Sequence, residues 1–420
     1  MKTILLFGAG KSATVLIDYL ILESKANDWK FIIADANKEQ ILAKTNHSPY
    51  AEAIAIDVNN DTHRSKLIER AHVVISMMPP ALHFQVAKDC VEYRKHLLTA
   101  SYLDDKMKSL QDEINHRKLF FLCEMGLDPG IDHMSAMKLI DEVHAEGKQI
   151  TSFKSHCGGL VAPESDTNPW HYKISWNPRN VVLAGKAGAV YKENGANISQ
   201  TYQQLFANCE EVAIEGLGKL AIYPNRDSLS YLPIYKLENA NTFLRTTLRY
   251  PEFCKGWDAI VQSGLADDSK TIEVAGLTFS QWSQPIKEFI TSENELMLNF
   301  LGLFSNELVP VSAKSNADIL QYLLESKLAM LPTDKDMIVM LHEIEYDGGK
   351  IESSLVVKGE DSWRTAMAKT VGLPLGIAAK FILDGTIKMK GLHIPTSKEI
   401  YEPVLKELEK LGIVFKEERR

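Results

Sequence analysis

The feature that most constrains this chain is its start, where a strand runs directly into a glycine turn and then a helix. Thr3–Phe7 is apolar or β-branched, Gly8-Ala9-Gly10 follows at once, and an apolar helical pattern comes next. Such a turn brings backbone N–H groups and the positive end of a helix dipole to one point, where an anion binds. We therefore predict a phosphate-binding turn. Gly8 permits the tight bend, Gly10 permits close approach, and Ala13 keeps the helix near the strand.

The same stretch has two other interpretations. Gly10-Lys11-Ser12 resembles the end of a P-loop, but that motif needs a glycine where Leu5 stands, so we reject it. A purely structural glycine turn stays open on these residues alone. In the phosphate-binding interpretation, Ala9, Lys11 and Ser12 complete the cofactor contacts.

An acidic residue at the end of the second predicted strand argues against the purely structural turn. Asp35 follows Ala13 by 22 residues, close to the ~20-residue spacing of the carboxylate that binds the ribose hydroxyls of a dinucleotide. A carboxylate accepts hydrogen bonds from a 2′-hydroxyl and repels a 2′-phosphate, so Asp35 favours NAD, with NADP possible. A second role for Asp35, as a helix cap for the segment from Asn37, is compatible with the first.

Strands and helices continue to alternate through the first 125 residues. Four further apolar strands are predicted at 53–56, 72–77, 97–101 and 119–123. Six strands with interposed helices predict an α/β fold with a doubly wound parallel sheet of the Rossmann type. Because ligands bind at the carboxyl ends of such strands, residues at those ends are predicted cofactor contacts: Asp57, Met78, Pro79, Ser101 and Tyr102.

Composition excludes several classes of function. The net charge is −8 and no basic run exceeds Arg419-Arg420, so we expect no nucleic-acid partner. We find no apolar stretch of the ~18–20 residues that a membrane span needs, and the first strand leaves no room for a signal peptide. The five cysteines lie far apart without a CxxC pair, which predicts reduced thiols, no metal site and a cytoplasmic protein.

A polar, glycine-rich loop follows the sixth predicted strand. Residues 124–133 contain candidates for catalysis at the crevice of the sheet. For Asp128 a catalytic role and a turn role are both open. We interpret Asp132 as a helix N-cap and His133 as a helix-start residue.

Three segments carry a specific resemblance. Residues 126–133, 156–164 and 174–179 are similar to the saccharopine dehydrogenase family of the glutamate-forming type, and the similarity extends in order over essentially the whole chain. Further matching segments lie at 223–228, 243–249, 367–374 and 394–401.

The resemblance implies a three-part molecule. A dinucleotide-binding domain at 1–125 is completed by about 360–420. An α+β substrate-binding and dimerisation domain comprises 126–250 and 330–359, and a helical insert lies at 251–329. It also implies a homodimer.

The implied reaction is NAD(P)-dependent oxidative cleavage of saccharopine to L-glutamate and L-2-aminoadipate 6-semialdehyde, reversible and part of lysine metabolism. Three substrate carboxylates need cationic partners, and Arg226 is the expected carboxylate ligand. Asp128 and Cys157 are the candidates for proton transfer, and Trp176 is the expected pocket wall. The other implied substrate contacts are Ser101, Tyr102, Gly130, Arg245, Thr246 and Thr247.

Some assignments stay open. Of Arg245 and Arg249, one may serve structure only, and Arg179 fits either role. His156 is a further possible base. Two alternative functions are a carboxynorspermidine dehydrogenase-type reductive condensation, which would need acidic groups where these arginines stand, and a non-catalytic NAD-binding module.

Overall fold

The computed structural model describes residues 1–420. The chain divides into two compact units. Unit 1 is Met1–Glu142 with Trp363–Val414, and unit 2 is Val143–Ser362 with Phe415–Arg420. The separation of a substrate domain from a helical insert stays a prediction.

The elements up to residue 145 alternate between strands and helices. The strands are β1 (Thr3–Phe7), β2 (Lys30–Asp35), β3 (Ala51–Ala55), β4 (Val73–Ser76), β5 (His96–Thr99) and β6 (Phe120–Leu122). The helices are α1 (Thr14–Asn27), α2 (Lys38–Thr45), α3 (Asp61–Arg70), α4 (Pro80–Glu92), α5 (Asp105–Lys108), α6 (Gln111–His116) and α7 (Ile131–Ala145).

The middle of the chain contains longer strands and a helical region. The strands are β7 (Ile150–Val161), β8 (Ala189–Glu193), β9 (Ala196–Gln200), β10 (Glu210–Ile214), β11 (Gly218–Pro224), β12 (Arg226–Asp227), β13 (Thr242–Arg249), β14 (Asp336–Tyr346) and β15 (Gly349–Lys358). The helices are α8 (Pro178–Val182), α9 (Tyr202–Leu205), α10 (Pro251–Gln262), α11 (Phe279–Trp282), α12 (Glu295–Leu301) and α13 (Asn316–Lys327). The chain ends with α14 (Ala366–Asp384), β16 (Gly391–His393), α15 (Lys398–Lys410) and β17 (Lys416–Arg419).

Unit 1 is built on a seven-stranded parallel sheet in the order β16-β6-β5-β4-β1-β2-β3. The predicted doubly wound sheet with six strands is therefore confirmed, and β16 adds a seventh strand beside β6. The strand order reverses between β1 and β4, which is where ligands bind in open α/β sheets. The residues that follow these two strands are thus at the expected site.

Helix α14 corrects one expectation from the sequence. By length and composition it could cross a membrane, so the statement that no such stretch exists is wrong; however, 78% of its apolar window is buried inside the protein. Gly376 lets α14 lie close to α1, since a Cβ there would be 2.7 Å from the Tyr19 ring. In this structure α14 is a packed core helix of unit 1.

Unit 2 is built on a mixed sheet of ten strands. Its main path is β10-β11-β13-β7-β14-β15-β17, and β8 attaches to β13 and carries β9 and β12. Strands β14 and β15 form an antiparallel pair, in register from Met337 with Lys358 to Tyr346 with Gly349. The helical region that follows β13 packs around two fully buried tryptophans, Trp170 and Trp257.

Candidate functional site

The glycine turn of unit 1 has the form that the sequence predicts. Gly8 has φ +98°, and a Cβ on it would lie 2.7 Å from the carbonyl oxygen of Met77, so only glycine fits there. A Cβ on Gly10 would meet no atom within 4 Å. In the helical segment that follows, the first hydrogen bond runs from the Ala13 N–H to the Gly10 carbonyl. The N–H groups of Lys11 and Ser12 come before this first hydrogen-bonded residue. Open space beside such N–H groups fits the phosphates of a dinucleotide.

Side chains from β2 and α2 hold this turn in place. Asp35 accepts hydrogen bonds from the N–H groups of Ala9, at 2.7 Å, and Asn37, at 2.9 Å. Gln40 donates to the Ala9 carbonyl at 2.9 Å. The N-cap of α2 is Asn37 itself, whose side chain accepts from the Gln40 N–H. Asp35 is therefore a turn anchor, and its predicted contact with a ribose stays a prediction.

Lys44 was not predicted from the sequence, yet it lies beneath the glycine turn. Its ammonium donates to the Gly10 carbonyl and to Thr14 Oγ1. Burial lowers the pKa of Lys44 to about 8, against the opposing effect of Asp35. Lys44 lies on α2, 34 residues from Gly10 in the sequence, so no motif next to the glycine turn points to it.

The other predicted nucleotide contacts lie at the carboxyl edge of the sheet. Met78 is next to the glycine turn, since its Sδ would be 3.4 Å from a Cβ on Gly8. Pro79 is the N-cap of α4. Asp57 is exposed and accepts a hydrogen bond from the Asn59 N–H at 2.9 Å, so its observed role is in a turn.

A buried histidine links two of these strand ends. His83 on α4 is bonded through Nδ1 to Ser76 Oγ at 2.8 Å and through Nε2 to Ser101 Oγ at 2.7 Å. Burial lowers the pKa of His83 to about 4, with Asp104 opposing, so the imidazole is neutral near pH 7. His83 thus orients the hydroxyl of Ser101. Sequence reasoning missed it because a histidine inside a helix pattern carries no motif.

The loop after β6 is closed by its own backbone. The Gly126 N–H donates to the Pro129 carbonyl at 3.0 Å, and a Cβ on Gly130 would lie 2.0 Å from the Gly126 oxygen. Gly130 is therefore needed for the turn itself. Asp128 is half-buried in this loop, and its catalytic role stays a prediction.

The interpretation of Asp132 as an N-cap is wrong. It lies inside the first turn of α7, and its Oδ1 accepts from the Gly130 N–H at 2.6 Å. His133 is in the same helical turn, fully buried, with Nε2 2.8 Å from Glu124 Oε2. Glu124 also accepts from the Leu103 N–H at 2.9 Å. This buried Glu–His pair stiffens the loop that carries Asp128.

In unit 2, two predicted substrate residues, Cys157 and Thr247, lie next to each other on one face of the sheet. Cys157 on β7 is in register with Thr247 on β13 and with Met340 on β14, and Thr247 is in register with Tyr223 on β11. Cys157 is buried and Thr247 half-buried. Trp176 is half-buried and donates from Nε1 to the Tyr172 hydroxyl at 3.1 Å. A tyrosine, a threonine and a thiol thus lie on neighbouring strands.

The opposite face of the same strands contains a separate polar network. His156 is bonded through Nδ1 to Thr246 Oγ1 at 2.7 Å and through Nε2 to Glu343 Oε2 at 3.1 Å. The His156 bond and that of Lys350 lower the pKa of Glu343 to about 2, against burial. Thr246 and His156 therefore hold β13, β7 and β14 together, and their side chains lie away from the face of Cys157.

The arginines occupy different settings. Arg226 is exposed at β12, with φ +53°. Arg245 is buried, with its guanidinium 4.6 Å from the Tyr231 ring centroid. Arg179 pairs with Asp318 at 2.9 Å and with Asp268 at 3.7 Å, which gives it a structural role. Arg249 is the last residue of β13 and is buried.

The thiols and acidic groups form neither disulfides nor metal clusters. None of the five cysteines forms a disulfide. No group of three or more His, Cys, Asp or Glu side chains is placed to hold a metal ion.

Comparison with known proteins identifies what both units are similar to. Residues 4–120 match the family model of the saccharopine dehydrogenase NADP binding domain, and residues 126–413 match that of the saccharopine dehydrogenase C-terminal domain. The chain is 36% identical to a Saccharomyces cerevisiae protein named saccharopine dehydrogenase [NADP(+), L-glutamate-forming], over 99% of each chain. It is 35% identical to the mitochondrial alpha-aminoadipic semialdehyde synthase of Mus musculus, over 99% of this chain and 47% of that protein.

Solved structures show the same likeness. The apo form of histidine-tagged saccharopine dehydrogenase (L-Glu forming) from Saccharomyces cerevisiae has a TM-score of 0.89 with this chain, at 33% identity and with 100% of both chains covered. A homospermidine synthase from Legionella pneumophila in complex with NAD has a TM-score of 0.60 at 10% identity, covering 100% of this chain and 91% of that one. The second likeness is one of fold alone.

Proposed function

The chain belongs to the saccharopine dehydrogenase family, and we propose that it cleaves saccharopine oxidatively to L-glutamate and L-2-aminoadipate 6-semialdehyde, using NAD(P). The observation that carries this proposal is the 36% identity over 99% of both chains with a glutamate-forming enzyme. The reaction is reversible and belongs to lysine metabolism.

The cofactor supplies the redox chemistry: when bound, NAD(P)+ accepts a hydride from the carbon next to the secondary amine of saccharopine. The N–H groups of the glycine turn, which Asp35, Gln40 and Lys44 keep in place, would hold its phosphates. The sequence favours NAD through Asp35, whereas the names of the yeast relatives contain NADP(+). The ratio of kcat/KM for the two cofactors separates these alternatives.

The protein's other tasks are positioning and proton handling. Oxidation of the secondary amine leaves an imine that water must attack, so hydroxyls and weak acids near the substrate are needed. For the proton steps we propose Asp128 and Cys157. Ser101, oriented by His83, is proposed as a hydrogen-bonding group for cofactor or substrate. Arg226, exposed and therefore accessible, is proposed as a ligand for a substrate carboxylate.

The test is an assay of the purified full chain with saccharopine and either cofactor, monitored by nicotinamide absorbance. We expect reduction of NAD(P)+ with equimolar release of L-glutamate. Arg226→Gln should raise the KM for saccharopine. Arg70→Gln, which removes an exposed arginine paired with Glu52, should leave it unchanged. No reduction with saccharopine, but turnover in the carboxynorspermidine reaction, would refute the proposed substrate.

Assembly and location are further proposals. We propose a homodimer, which family likeness supports and light scattering of the purified protein would test. We propose a cytoplasmic location, which the five cysteines without a disulfide support.

A further inference from the structure

Lys44 places a buried positive charge directly beneath the glycine turn. It is 9% exposed and comes from α2. Its ammonium donates to the Gly10 carbonyl and, at 2.8 Å, to Thr14 Oγ1. Thr14 Oγ1 in turn donates to the Lys11 carbonyl at 3.3 Å. One ammonium is therefore linked to two consecutive carbonyl oxygens of the turn, to the first directly and to the second through a hydroxyl.

These two carbonyls belong to the peptide units that carry the N–H groups of the predicted phosphate site. The Gly10 carbonyl and the Lys11 N–H are the two ends of one amide, and the Lys11 carbonyl and the Ser12 N–H are the two ends of the next. A cation at the oxygen of an amide makes the N–H at its other end a stronger donor, because linked hydrogen bonds polarise one another. Lys44 therefore acts on both of the N–H groups that come before the first hydrogen bond of the helical segment.

The folded protein holds this charge at a cost. Burial lowers the pKa of Lys44 from 10.5 to about 8, although Asp35 and Asp18 act in the opposite direction. The unfolded chain binds this proton more tightly than the folded chain does, so protonation of Lys44 opposes folding. A neutral amine would still have two N–H groups to donate to the Gly10 carbonyl and to Thr14. The hydrogen bonds by themselves therefore do not require the charge.

The charged groups around the ammonium are two carboxylates and an arginine. Asp35, at the end of β2, and Asp18, on α1, are the carboxylates that act on Lys44. Asp18 is paired with Arg364 at 3.0 Å, and Asp35 accepts two hydrogen bonds from backbone N–H groups. Carboxylates and guanidinium groups ordinarily keep their charges above pH 7. A change of charge beneath the turn between about pH 7 and about pH 9.5 is therefore a change at Lys44.

We propose that Lys44 is a positioning residue for the dinucleotide: its positive charge strengthens the Lys11 and Ser12 N–H groups as donors to a phosphate, and cofactor affinity therefore depends on its protonation. A phosphate suits this arrangement because it accepts hydrogen bonds from consecutive backbone N–H groups at the start of a helical segment. The proposal rests on the proposed function only for the phosphate-bearing cofactor. It does not depend on which amino acid is oxidised.

The experiment measures the binding of NADH and of NADPH to the purified full chain by fluorescence titration at about pH 7 and about pH 9.5. For the wild type we expect affinity to fall about tenfold over this range, because one unit charge close to a bound phosphate is lost. Lys44→Met should bind about tenfold more weakly than the wild type at the lower pH and should change little with pH.

Two further variants define the path of the effect. Thr14→Val removes the link to the Lys11 carbonyl alone, so its affinity at the lower pH should be intermediate and should still fall with pH. Lys66→Met, which removes an exposed lysine of α3, is the matched control and should bind as the wild type does at both pH values.

Thermal unfolding without cofactor separates this role from a structural one. Because the Lys44 proton opposes folding, the stability of the wild type relative to Lys44→Met should rise between pH 8 and 10.5. This change has the opposite sign to the change in cofactor affinity. If Lys44→Met does not fold, Lys44→Arg decides, since it keeps its charge at the higher pH and its affinity should not fall there.

The proposal is overturned by wild-type affinity that is equal at the two pH values, or by the same fall with pH in Lys44→Met or in Lys44→Arg as in the wild type. If the wild type oxidises saccharopine but shows no pH effect that depends on Lys44, the proposed function stands and this proposal is wrong. If the pH effect on cofactor binding is present but saccharopine is not oxidised, the proposed function is wrong and the role of Lys44 stands.

Discussion

Replacement of Gly10 by alanine gives the sharpest test of the nucleotide site. Gly10 has φ −65° and ψ −173°, which alanine adopts without strain, and a Cβ there would meet no atom within 4 Å. Nothing within the chain therefore requires glycine at this position. If glycine is needed, it is needed by a group that comes from outside.

We expect Gly10→Ala to increase the stability of the fold and to weaken the binding of the cofactor. A strain-free Gly→Ala change stabilises a protein by about 0.4–1 kcal/mol, because the unfolded chain loses freedom. A methyl group beside the turn would push a phosphate out of hydrogen-bond range of one N–H. A charge-assisted hydrogen bond is worth about 1.5–3 kcal/mol, which corresponds to about 10- to 150-fold in affinity.

The assay pairs thermal unfolding with a fluorescence titration of NADPH. For Gly10→Ala we expect an unchanged or slightly higher melting temperature and the weaker binding just derived. Gly8→Ala is the contrasting variant: with φ +98° and a Cβ 2.7 Å from the Met77 oxygen, it should lower the melting temperature itself. Wild-type NADPH affinity in Gly10→Ala would refute the assignment of this turn to a phosphate.

Three further results are expected. Asp35→Asn removes the charge that repels a 2′-phosphate, so the NADP-to-NAD ratio of kcat/KM should rise; an unchanged ratio would mean that Asp35 serves only to anchor Ala9 and Asn37. His83 has its pKa lowered from 6.5 to about 4, so the unfolded chain binds the extra proton and stability should fall by up to about 3 kcal/mol between pH 6.5 and 4. Denaturant unfolding across that range should show that the free energy of unfolding changes less with pH in His83→Leu than in the wild type. An equal change with pH would contradict the assignment. Glu343 has its pKa lowered from 4.5 to about 2, so its stabilising contribution is present above pH 4.5 and is lost towards pH 2; Glu343→Gln should therefore be less stable than the wild type at pH 6 and equally stable at pH 2.

The features that were predicted correctly are local in sequence. The strand, glycine turn and helix of residues 3–27 follow from apolar runs and from two glycines, because each is decided within a few residues. The parallel sheet follows from the repeated alternation of such segments. The family likeness follows in the same way, since its segments are continuous blocks.

The incorrect or missing assignments depend on partners far along the chain. Asp132 was interpreted as an N-cap because helix caps are predicted from adjacent residues, whereas its acceptor role depends on how the loop folds back to Gly130. Helix α14 has the composition of a membrane span, and only its packing on α1 shows that it is a core helix. His83 contacts Ser101, 18 residues away, and no pattern marks such a pair.

The sequence by itself determined the class of this protein: a dinucleotide-binding sheet joined to a substrate region with the motifs of one family. Only the tertiary structure decided which charged side chains are paired with an opposite charge within the protein and which are not. The sequence left the roles of Arg179 and Arg249 open. In the structure, Arg179 is paired with two aspartates, whereas Arg249 is buried and forms no salt bridge with a carboxylate. The physical reason is that the free energy of a charge depends on its distance to partners and on its desolvation, and both arise only when strands distant in sequence pack together.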